Sequence, residues 1–118
     1  MTWTPEDIAA EMRATVSRLE KAAKVVAEAR QSHLDAKRAH TEAKANLRQE
    51  YMPGTYNDRD DKATKNEAVK ELWKVMDTAD VAHTYARDLA GFLEKKLSAL
   101  QTEAKLIMLE YNTGGKHG

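Results

Sequence analysis

The stretch "QEYMPGTYNDRDDKATKNE", residues 49–67, holds the only proline and glycine between Pro5 and Gly91. Everything on either side is compatible with unbroken helix, so these residues decide the fold. Pro53 lacks the N–H that a helix interior needs and its ring clashes with the preceding turn, and Gly54 is a poor helix former. Together they stop a helix arriving from the N-terminal side. Three nested N-caps can then start another: Thr55 with Asp58, Asn57 with Asp60, and Thr64 with Glu67. The expectation is one domain, 1–118, with helix one over about 5–51, a bend over about 52–60, helix two over about 61–111 and a flexible tail at 112–118.

The first helix has a well-marked start. Thr4 is a good N-cap, Pro5 fits the first helical position, and Glu6 and Asp7 place negative charge on the positive end of the helix dipole. Trp3 and Ile8 are spaced for a hydrophobic staple. At the other end of the chain, Asn112 and Gly114–Gly115 are expected to stop helix two.

Both helices carry a heptad. In helix one the tracks are Met12, Leu19, Val26, His33, His40, Leu47 and Ile8, Thr15, Ala22, Ala29, Ala36, Ala43. In helix two they are Val69, Met76, His83, Ala90, Leu97, Ala104, Tyr111 and Leu72, Ala79, Ala86, Leu93, Leu100, Ile107. A two-track seam kept over so many heptads points to coiled-coil packing. Gly91 falls off both tracks and costs about 1 kcal/mol of helix propensity without breaking the helix.

A short connection makes the two helices antiparallel neighbours. Setting Met12 opposite Leu100, Leu19 opposite Leu93 and Val26 opposite Ala86 centres the bend near Tyr56 and mostly faces large residues with small ones. A slip of one heptad, centring the bend near Asp60, stays open. On one flank Arg30 should face Asp80 and Lys37 should approach Trp73. The other flank is apolar or small: Val25, Ser32 and Ala39 opposite Leu89, Ala82 and Val75. Flanks of a lone two-stranded coiled coil are usually charged, so this strip is expected to mediate self-association, two hairpins making a four-helix bundle with two-fold symmetry. The fold class is all-α: a long antiparallel helical hairpin that dimerises.

Composition narrows function. Charged residues make up 32% and aromatics 6%, the mix of long helices and coiled coils rather than of a large globular core. Lys plus Arg and Asp plus Glu number 19 each, so the basic excess of a general nucleic-acid binder is missing. Cysteine is absent, which removes disulfides, thiolate nucleophiles and cysteine metal sites. With no signal-like N-terminus and no apolar run long enough to cross a bilayer, a cytoplasmic protein with no membrane partner is expected.

Three of the four histidines, His33, His40 and His83, sit on core tracks. His33 and His40 are two turns apart, too far to share a metal, since ligand pairs on a helix need i, i+3 or i+4 spacing. His33 and His83 come within reach across the seam, but no inward carboxylate or thiolate completes a site, and hydrogen-bonded seam histidines are the expectation. "DVAH", residues 80–83, has the acidic-x-x-His spacing of di-metal bundles without the inward glutamates those sites require. No nucleophile–base arrangement or phosphate-binding loop is present, so no enzyme activity, cofactor or metal is expected. Arg30, Lys37 and Lys44 form the one basic stripe that could touch nucleic acid, diluted by Glu20, Glu28, Asp35 and Glu42. At the bend, Tyr51, Met52 and Tyr56 either close the bundle end or offer a contact to a partner protein, as aromatics and Met often do.

The segments "HLDAKRAHTEAKANLRQEY" and "ADVAHTYARDLAGFLEKKLSALQTEAKLIMLEYN" make most of the chain resemble a family of small all-helical proteins of tailed bacteriophages. The resemblance lies in pattern and carries no catalytic residue. It implies a phage-type protein of the bacterial cytoplasm, of a kind often encoded near recombination and replication genes. The expected function is protein–protein binding and self-association, modulating host or phage DNA metabolism. The alternatives are a DNA-binding accessory protein and a virion or assembly component.

Overall fold

In the computed structural model, which describes residues 3–116 and the side chains of residues 3–110, the chain is all-α. Its elements are α1 (Pro5–Glu50), α2 (Tyr56–Lys65) and α3 (Glu67–Lys116). The start of α1 is a reciprocal capping box. The Thr4 hydroxyl accepts from the Asp7 N–H at 3.2 Å, and the Thr4 N–H donates to the Asp7 carboxylate at 3.0 Å. Ile8 is buried just beyond it.

The connection differs from expectation. The bend was expected to run to about residue 60, but α2 already begins at Tyr56, and a second break separates it from α3. Thr55 is the cap that starts α2, its hydroxyl accepting from the Asp58 N–H at 3.2 Å. Asn57 lies within the first turn of α2. Thr64 does not cap either, because its hydroxyl donates to the Asp60 carbonyl at 2.8 Å. The cap of α3 is Asn66. Its side-chain oxygen accepts from the N–H of Ala68 at 2.9 Å and of Val69 at 3.4 Å, while its own backbone is extended, with ψ at 133°. One residue therefore ends α2 and starts α3.

The other end also differs: α3 passes the expected stop near Tyr111 and continues to Lys116. Glycine lowers helix propensity but does not forbid helical backbone. Of the expected tail, residues 117–118 lie outside the described residues. So does the side chain of Tyr111, the last member of its track.

The chain packs as two compact units, Met1–Val25 with Arg87–Gly118, and Val26–Ala86. In the first, Ile8, Thr15 and Ala22 of α1 and Leu93 and Leu100 of α3 are buried. Met12, Leu19, Ala90, Leu97, Ala104 and Ile107 are half-buried around them. The helices run antiparallel there: Glu11 meets Lys96, while the earlier Pro5 and Ile8 share a recess of ≈ 210 Å³ with Ala104, Ile107 and Met108. Thr15 is fully buried, with its hydroxyl satisfied by the Glu11 carbonyl at 2.8 Å.

In the second unit Ala63, Val69 and Ala86 are buried, and the half-buried seam runs from Val26 to Leu47 on α1 and from Leu72 to His83 on α3. Here too the helices are antiparallel. His33 lies beside Asp80 and His83, and the later His40 shares a groove with Val69 and Trp73. Every described member of the four heptad tracks is buried or half-buried. Glu11 against Lys96 in one unit, and His33 against Asp80 in the other, fit the register with Met12 facing Leu100 and not the one-heptad slip.

Candidate functional site

The apolar flank is where exposed surface and coiled-coil spacing coincide. Val25, Ser32 and Ala39 on α1 and Val75, Ala82 and Leu89 on α3 are all exposed. Within the first unit Glu11, two heptads before Val25, and Lys96, one heptad after Leu89, form an ion pair, so these two columns border the seam there. The strip is wider than the sequence reading made it. Thr78, Tyr85 and Phe92 occupy the next column of α3, seven residues apart and exposed. Val75, Thr78, Ala82, Tyr85, Leu89 and Phe92 thus follow one another at alternating steps of three and four along α3. That is the spacing of a second coiled-coil seam on a helix whose first seam is already filled. The large members keep much of their surface in solvent: Val75 is 55% exposed, Tyr85 71%, Leu89 44% and Phe92 63%.

The bend forms a charged cluster inside the second unit. Asp60 accepts from Arg48 at 2.9 Å and lies 3.4 Å from the Lys44 ammonium. The hydrogen bond from Arg48, aided by Lys44, holds the Asp60 carboxyl below its ordinary value. The Arg48 guanidinium also sits 5.4 Å from the centre of the Tyr56 ring, within cation–π range. Arg59 reaches back to the Arg48 carbonyl at 3.5 Å. Of the three bend residues considered for a partner, Tyr51 is half-buried and near the Asn66 amide, at 3.5 Å, whereas Met52 and Tyr56 are exposed. Of the basic stripe, Arg30 and Lys37 are exposed, but Lys44 is half-buried and committed to Asp60, which shortens it.

The seam histidines come together. The His33 and His83 rings stack at 6.2 Å between centroids and 26° between planes, and Asp80 approaches His33 Nε2 at 3.8 Å. Asp80 was expected to face Arg30. Its carboxylate lies instead 3.8 Å from the half-buried His33. Among the described residues no group of three or more His, Asp or Glu side chains is placed to hold a metal. The second unit also carries a largely apolar groove of ≈ 330 Å³, lined by His40, Thr64, Val69, Lys70, Trp73 and Lys74.

Among the described residues no helix is long and apolar enough to cross a membrane. No family model, no curated protein and no solved structure matches the chain.

Proposed function

We propose that this chain is a non-enzymatic helical hairpin, α1 folded back on α3 through α2, which works by self-association and by contact with another protein. Two hairpins meeting along the apolar flank would make a four-helix bundle. The observation that carries this reading is the exposed 3–4 column of α3, because a run of large exposed apolar side chains at coiled-coil spacing is the surface a second helix covers. The carboxylates of the chain point the same way. Asp7 caps a helix, and Glu11 and Asp60 hold elements together, so the perturbed acids are occupied with structure. Met52 and Tyr56 at the bend offer a second protein an exposed apolar pair. The resemblance to small phage helical proteins supports a bacterial cytoplasm as the setting and DNA metabolism as the process modulated.

The test is the double variant Tyr85→Glu, Phe92→Glu. It places charge on the exposed column and leaves both heptad tracks of the seam intact. The expected result is a monomer by light scattering, with helical circular dichroism kept. Unchanged mass in the double variant would remove this face from the account.

A further inference from the structure

We infer that the exposed column of α3 pairs with the same column of a second copy of this chain, antiparallel, about a two-fold axis between His83 and Thr84. This rests on the self-association reading and names the partner surface and its register.

The choice of occupant comes from the column itself. About this axis Val75 faces Phe92 of the second copy, Thr78 faces Leu89, and Ala82 faces Tyr85. Each pairing, and its symmetry mate, sets a larger side chain against a smaller one, which fills a layer without strain. A parallel pairing would put Tyr85 on Tyr85 and Phe92 on Phe92, with Ala82 on Ala82 between them. Overfilled layers would then alternate with an underfilled one.

Charge on the outer flank selects the same arrangement. Lys74 and Asp88 lie on the column of α3 just outside the apolar one, and both are exposed. Antiparallel pairing brings Lys74 of one copy toward Asp88 of the other, twice by symmetry. Parallel pairing sets each charge level with its own kind. Lys74 also contacts Glu71 of its own helix at 3.1 Å, an exposed pair that binds it only weakly. On the inner side the heptad sets the exposed Val25, Ser32 and Ala39 of α1 along the column, with no charged side chain among them to hinder a second copy.

The chain has no cysteine, so single substitutions give unique labelling sites. Lys70→Cys, Thr84→Cys and Ser98→Cys, each spin-labelled in the full chain, report distances between copies. Thr84 lies at the axis and should give about 20 Å, two helix diameters. Lys70 and Ser98 lie on either side of it and should both exceed about 40 Å, from 1.5 Å of rise per residue. A dimer giving similar short distances at all three sites would overturn the antiparallel register and leave self-association standing. A chain that stays monomeric and gives no distance at any site would overturn both.

Discussion

The Lys96 ammonium of α3 lies 2.7 Å from the Glu11 carboxylate of α1, and Arg18 stands 3.7 Å from the same carboxylate. The hydrogen bond and the positive charge of Lys96 hold the Glu11 carboxyl below its ordinary value of 4.5. Asp7, bonded to the Thr4 N–H, and Asp60, bonded to Arg48, are likewise held below their ordinary 3.8. All three therefore bind a proton less readily folded than unfolded. Their contribution to stability is complete above the ordinary carboxylate range and is lost as the pH falls through and below it. The urea midpoint should drop between about pH 5 and about pH 3. Glu11→Gln should remove part of that drop, and an identical acid profile in the variant would show that the pair is not coupled to folding.

Leu93 and Gly91 sit two residues apart on α3 and should respond to alanine in opposite directions. Leu93 is 7% exposed in the seam, so Leu93→Ala should cost about 2–4 kcal/mol through lost burial and an unfilled cavity. A Cβ at Gly91 would meet nothing within 4 Å, so Gly91→Ala should add about 0.5–1 kcal/mol from helix propensity alone. Chemical denaturation measures both, and a destabilised Gly91→Ala chain would mean that something packs on that position.

Asn66 both ends α2 and caps α3. Asn66→Ala removes the acceptor used by the Ala68 and Val69 N–H groups and should lower stability by about 1 kcal/mol. Thr64→Ala loses only a hydroxyl bonded within its own helix and should change stability by less than about 0.5 kcal/mol. If Thr64 were the cap that matters, the order of these two effects in a denaturant titration would be reversed.

Thr15 is buried, yet its hydroxyl bonds only to a carbonyl of its own helix. Thr15→Val keeps the shape and removes a polar group from the seam, so it should be neutral or stabilising by up to about 1 kcal/mol. A clear loss of thermal stability would show that the hydroxyl has a partner role in the packing.

The seam was legible because a period of three and four repeated over many turns leaves little choice of face. All of its described members, down to the small Ala29 and Ala36, lie where the pattern put them. The start of α1 was legible for a similar reason: Thr4, Pro5 and Asp7 each point to the same position. The start of α3 was not. Thr55, Asn57, Thr64 and Asn66 are all good caps within one short stretch, and the choice between them depends on which helix phase lets Val69 reach the core. Tyr85 and Phe92 escaped notice because each stands one column beyond the flank, where a single exposed aromatic carries no message. Their meaning appears only when they are joined to Val75, Ala82 and Leu89 as one 3–4 series.

Self-association is the centre of this account, and sedimentation equilibrium of the unmodified chain across micromolar concentrations measures it most directly. The chain mass is 13.3 kDa, so twice 13.3 kDa, about 27 kDa, is the predicted species. A single species of 13.3 kDa throughout that range would contradict it.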